Sequence, residues 1–137
     1  MKMPKKLKDA DMKVIPKISL LGTALSLFFS SSLAADNSTA FNDGWCVGRS
    51  TLILYAFPNH SIAQDIYFSS TKRFILNGLS KFGATAKNRN YLLETITEIE
   101  QRVLNNARMF VAGNGIEALR RDIDTIYLPE MLRRCGH

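Results

Sequence analysis

The feature that most constrains this chain is a pair of cysteines, Cys46 and Cys135, standing far apart along its 137 residues. Two cysteines allow a single connectivity. Joining them closes a loop of about 90 residues, which the chain-entropy account values at roughly 4–5 kcal/mol. That is a large share of the ~5–15 kcal/mol that holds a domain together. A redox-active pair is the competing reading, but there is no Cys-x-x-Cys, and neither cysteine has a histidine at a spacing that implies pairing. A structural disulfide needs an oxidising compartment, so the reading turns on whether the chain is exported.

The amino end answers that question. Lys13-Val14-Ile15-Pro16-Lys17 is followed by an apolar stretch from Ile18 to Phe29 and then by Ser30-Ser31-Ser32-Leu33-Ala34-Ala35. A basic start, an apolar middle and a small-x-small exit form the tripartite secretory signal. Ser32 and Ala34 place the cut between Ala34 and Ala35. The apolar stretch falls short of the roughly 20 residues that span a bilayer, so no stable membrane anchor is expected after cleavage. Met12 is an alternative start, since a complete signal follows it. Residues 1–34 are therefore read as a signal peptide, 35–42 (ADNSTAFN) as a flexible leader and 43–137 as one helical domain.

Removing the signal changes the charge balance. The whole chain carries +6, but residues 1–34 hold six lysines against two aspartates, a net of +4. The remainder has twelve Arg/Lys against ten Asp/Glu, a net of +2. A near-neutral body lacks the dense positive field that phosphate backbones require, which argues against nucleic acid.

Periodicity then predicts helices. Asp43 is a plausible N-cap for a first helix over 44–56, with Val47, Thr51, Leu54 and Tyr55 on one face, although Thr51–Tyr55 also reads as a short strand. Ser61 and Gln64 have capping-box spacing, opening a second helix that runs to Phe82 and stops at Gly83. Its apolar stripe is Phe68, Ile75, Leu79 and Phe82, with Lys72 in line; Gly78 and Ser69-Ser70 weaken it. After Lys87–Asn90, a third helix places Leu92, Ile96, Ile99, Val103, Ala107 and Phe110 on one face for five turns. Its Glu94 and Glu98 come early and its Arg102 and Arg108 late, as the helix dipole favours. Gly113-Asn114-Gly115 breaks it. Asn114 with Glu117 suggests a fourth capped start, with Ile116, Leu119, Ile123 and Ile126 as its face and Arg120 paired to Asp124. Pro129 predicts a kink or a new turn before Glu130–Arg134 deliver Cys135. Four helices with short connections predict an all-α, small four-helix up-down bundle, with both cysteines at one end of it.

Catalytic constellations are sparse. His60 and His137 are the two histidines. His60 beside Ser61 and near Asp65 supplies the residue types of a triad, but reads more simply as a loop histidine ahead of a helix. Two scattered histidines and a bonded cysteine pair make no zinc site, and Asp122-x-Asp124 is no calcium loop. Glu94, Glu98 and Glu100 are ordinary for a solvated helix, and Gly113-x-Gly115 is too little for a phosphate loop. Asn37-Ser38-Thr39 and Asn59-His60-Ser61 match glycosylation sequons, which matter only in a eukaryotic source. No enzyme, metal or cofactor is expected.

Residue types favoured at interfaces gather in the first half: Trp45, Arg49, Tyr55, Phe57, Tyr67 and Phe68. Arg133 and Arg134 beside Cys135 add a basic rim. The candidate binding surface is Trp45, Arg49, Tyr55, Arg133 and Arg134. The expected function is that of an exported, periplasmic or secreted, non-enzymatic protein that binds another protein, such as an inhibitor or toxin-immunity protein. In signal, length, helix content and single disulfide the chain resembles, in outline, the small helical immunity proteins of type VI secretion amidases and the acid-stress chaperones of the periplasm. It carries no motif of either, and its cysteine spacing is wider than the chaperones lead one to expect, so no family is assigned. The alternatives are a periplasmic stress chaperone or a bundle holding a small apolar molecule among Phe68, Phe74, Tyr91 and Phe110. An apolar face left uncovered by four short helices would also suit a homodimer.

Overall fold

A computed structural model describes residues 34–136, with side chains from Thr39 onward. The signal-peptide reading of the first 33 residues lies outside the described residues. Four helices and no strand occur among the residues described. Helix α1 is Ala34–Ala56, α2 is Ser61–Phe82 and α3 is Ala86–Asn114. The fourth helix is built from α4 (Ile116–Asp122), a π-helical turn over Ile123–Tyr127 and α5 (Leu128–Cys135). Thr51–Tyr55 is helix, not strand.

Helix α1 begins at Ala34, upstream of the expected cap, so residues 35–42 are helical rather than a loose leader. Asp43 is consequently an interior residue and is buried. Every residue from Asp43 to Ile53 is buried, whichever way it points, because α2, α3 and the fourth helix all pack on α1. The helices are thus not four equivalent staves: α1 is the hub. A helix sheathed on all sides has to satisfy its polar groups internally. Ser50 Oγ donates to the Cys46 carbonyl (2.8 Å) and Thr51 Oγ1 to the Val47 carbonyl (2.7 Å).

The expected disulfide is present: Cys46 and Cys135 are bonded, their Cα atoms 5.8 Å apart. Because α1 starts upstream, the bridge joins the middle of that helix, not its first turn, to the end of α5. Trp45, Leu52, Ile53, Ile66, Val103, Leu119, Ile123 and Met131 pack with the bridge in one core cluster. Val47, Phe74, Leu92, Ile96 and Ile99 form a second.

The third helix matches its expected face closely. Leu92, Ile96, Ile99, Val103 and Ala107 are buried and Phe110 is partly so. The helix starts earlier than read, at Ala86, because the Thr85 hydroxyl caps it by accepting from the Asn88 amide (3.1 Å). At α2 the cap is His60 rather than Ser61: His60 Nδ1 accepts from the Ala63 amide (3.2 Å), and Gln64 Nε2 donates back to the Pro58 carbonyl. Gly83 ends α2 with φ 114°, a conformation few other residues adopt. Gly78 matters for a different reason. A Cβ there would come within 2.7 Å of the end of the Leu92 side chain, so any larger residue would force Leu92 to shift.

The fourth helix departs most from expectation. Asn114 closes α3, donating to the Phe110 carbonyl, and does not cap α4. Gly115 stands at the start of α4, with no side-chain cap bond. Arg120 pairs with Glu117 (3.0 Å) rather than Asp124, and its Nε donates to the Ala56 carbonyl. Pro129 has no amide hydrogen and its ring crowds the carbonyl four residues back. The π-helical turn just before it widens the helix, with Leu128 donating to the Ile123 carbonyl. Widening also shifts the register. The inward row becomes Leu119, Ile123, Tyr127, Met131 and Cys135, while Ile126 is left exposed.

Candidate functional site

Three of the five expected surface residues meet beside the disulfide. Trp45 is one position from Cys46, and Arg49 is one turn further along α1. Tyr127, Glu130 and Arg134 recur along one side of the fourth helix, next to its inward row, so the bridge brings them against that turn. The Arg49 guanidinium lies 4.8 Å from the Trp45 ring and 4.8 Å from the Tyr127 ring. It donates to Glu130 Oε1 at 3.4 Å. Arg134 covers Trp45 at 4.0 Å. The result is a cage in which cations and rings alternate: Tyr127, Arg49, Trp45, Arg134. Burial pulls the Arg49 guanidinium below its ordinary pKa, and the Glu130 carboxylate offsets part of that. Burial likewise raises the Tyr127 phenol, against the opposing pull of Arg49.

Trp45 and Arg49 are buried in this cage, whereas Arg133 and Arg134 are exposed. Tyr55 lies elsewhere, about 15 Å along α1 from Trp45 at 1.5 Å per residue, partly buried against the first core cluster. Sequence reasoning missed Tyr127 and Glu130. Their spacing of three, continued by Arg134 four residues on, is the signal that marks one side of a helix.

A second feature concerns α2. Its buried residues are Ala63, Ile66, Ser70 and Phe74, at spacings of 3, 4 and 4. The expected stripe is displaced from them, since Phe68 stands two residues from Ile66, about 200° round the helix. Only the two ends of the stripe turn outward: Phe68 is 68% exposed and Phe82 63%, with Leu76, about a quarter-turn round from Phe68, at 53%. Ile75 and Leu79 are half-buried against the second core cluster. The inward face escaped notice because Ala63 and Ser70 carry little hydrophobic signal. Alongside, Tyr67 of α2 donates its hydroxyl to Glu100 of α3. Burial, reinforced by that carboxylate, pushes the Tyr67 phenol up to about 12.

A third feature is an open polar groove of about 530 Å³ where α1, α2 and the end of α5 converge. Asn42, Asp43, Arg73 and Arg134 supply its polar side chains, next to Cys135. Arg73 Nε donates to Asp43 Oδ1 (3.1 Å), and Arg134 to Asn42 Oδ1 (3.4 Å). Burial raises the Asp43 carboxyl above the ordinary aspartate range, with Arg73 pulling the other way.

The residues weighed for catalysis are spread out. His60 is engaged as a helix cap, while Ser61 and Asp65 are exposed. Phe68 and Tyr91 are exposed, Phe74 belongs to the second core cluster and Phe110 packs on the first, so these four do not line a common pocket. Among the described residues no group of three or more His, Cys, Asp or Glu is placed to hold a metal, and no helix is long and apolar enough to cross a membrane. No protein family, curated protein or solved structure matches this chain.

Proposed function

We propose that this chain is an exported helical protein that works by binding another protein through the outward side of α2. The observation that carries the reading is the exposure of Phe68 and Phe82 on the same stripe, with Leu76 at its border. The two phenylalanines stand about 21 Å apart along α2, with the half-buried Ile75 and Leu79 between them, so a partner would be held at two separate apolar anchors. Full burial of a large apolar side chain is worth about 1.5–3 kcal/mol, so covering the two phenylalanines would contribute about 2–4 kcal/mol to a complex. Lys72 lies in the stripe, which favours a partner that sets an acidic side chain between its apolar contacts.

The signal-like leader and the disulfide support export to a periplasm or to the outside. An inhibitor or toxin-immunity protein fits this description best. The Arg49 cage serves the reading indirectly, by stiffening the bridged end of the body.

Co-purification of the oxidised protein from its own compartment tests the reading. The wild type is expected to retain one stoichiometric protein. The Phe68→Asp/Phe82→Asp double variant is expected to lose it while remaining folded, with a small loss of stability from the edge contact between Phe68 and Tyr67, because both side chains are mostly exposed. Retention by the double variant, or no partner for the wild type, would overturn it.

A further inference from the structure

The groove beside the disulfide carries chemistry that docking through α2 leaves unused. Asp43 is the buried charged group of its lining, with its side chain only 3% exposed. One of its carboxylate oxygens accepts from Arg73, while the other, Oδ2, is buried and has no hydrogen-bond partner among the described residues. Buried carboxylate oxygens are rarely left so, because an unmet buried acceptor is costly. Arg73 is the movable member of the pair: its side chain is 47% exposed, and its remaining contact is a 3.4 Å bond to Ser70 Oγ. Arg134 stands on the far wall, held by Asn42 and by its stacking on Trp45.

Two guanidinium groups and one carboxylate select among small molecules by charge. A simple anion would meet Arg73 and Arg134 but also the Asp43 carboxylate. A simple cation would meet Asp43 but also two arginines. A molecule that carries both charges satisfies all three residues. We infer that this groove binds a small zwitterion of the amino-acid type, its ammonium on Asp43 and its carboxylate on Arg73 and Arg134. On entry Arg73 turns from Asp43 to the ligand's carboxylate, and the ammonium donates to both Asp43 oxygens, so that Oδ2 gains the partner it lacks. No bond is made or broken. The volume of about 530 Å³ leaves room for a side chain or a second residue.

Calorimetric titration of the oxidised full chain tests this, with L-alanine and L-alanyl-L-alanine as zwitterionic probes. N-acetyl-L-alanine, which lacks the ammonium, and L-alaninamide, which lacks the carboxylate, are the controls. At least one zwitterion is expected to bind, and each control at least about tenfold more weakly, the loss expected from one missing charged hydrogen bond. Asp43→Asn and Arg134→Gln are expected to weaken the zwitterion by a similar factor. Failure of both zwitterions to bind at about 10 mM, a level at which even weak complexes register, would overturn the inference. So would equal binding of either control, or undiminished binding by Asp43→Asn.

Discussion

Replacing Arg49 by methionine removes the central cation of the cage while keeping a flexible stem of similar length. Two opposed effects decide the outcome. Against the arginine stands desolvation: its side chain is 5% exposed, and its Nε is buried without a hydrogen-bond partner. Methionine would recover that cost, and buried ion pairs are sometimes replaced by apolar residues at no loss. In favour of the arginine stand two ring contacts at 4.8 Å and the 3.4 Å bond to Glu130. Desolvated cation–π contacts are worth about 1–2 kcal/mol each, and a hydrogen bond to a charged group about 1.5–3 kcal/mol. Glu130 remains 31% exposed, so without its partner it turns to water and the cost of leaving it alone is small. These contacts total about 3.5–7 kcal/mol, and a desolvation cost of several kcal/mol for a buried ion leaves about 1–2 kcal/mol in favour of arginine. For a domain of this size that lowers the melting temperature by about 5–15 °C. Chemical unfolding of the wild type, Arg49→Met, Glu130→Gln and the double variant would supply both the loss and the pair's own coupling. A neutral or stabilised Arg49→Met would refute the claim that the cage holds the bridged end together.

Reducing the disulfide, or replacing both cysteines by serine, is expected to cost about 4–5 kcal/mol because the closed loop is long; melting with and without reductant measures it. Gly78→Ala gains about 1 kcal/mol of helix propensity but drives a methyl group within 2.7 Å of Leu92. Overpacking costs about 1–3 kcal/mol, so the variant is expected to be neutral to about 2 kcal/mol less stable by urea unfolding. Tyr67 has a folded pKa of about 12 against 10.0 for the free phenol. The unfolded chain therefore releases this proton first as pH rises. Tyr67's contribution is complete below pH 10 and is lost as pH climbs toward 12. Tyr67→Phe is expected to unfold with a shallower alkaline slope across that window.

Legibility in the sequence tracks where the physics is local. The third helix was legible because its inward face is made of large aliphatic residues for five turns, and it folded as that spacing requires. The disulfide was legible because two cysteines leave no choice of partner. The second helix misled because Phe68 and Phe82, which draw the eye to its stripe, are exposed, while its buried face includes Ala63 and Ser70, which look inconspicuous in a sequence. Helix α1 misled differently: a hub has no amphipathic side, so neither its start nor its face could be taken from periodicity. The π-helical turn before Pro129 moved Tyr127 inward and Ile126 outward, and no spacing rule for an ordinary helix anticipates that. Of the expected surface, Trp45, Arg49 and Arg134 do come together, but through Tyr127 and Glu130, which only the folded chain brings to them.

The most direct test of docking through α2 places a photo-crosslinking amino acid at position 68 in the full chain, expressed in its own cell. One discrete covalent adduct with a different protein is expected, absent when the same probe sits at the exposed position 121 on α4. No adduct at position 68, an adduct with a second copy of this chain alone, or the same adduct from position 121 would contradict it.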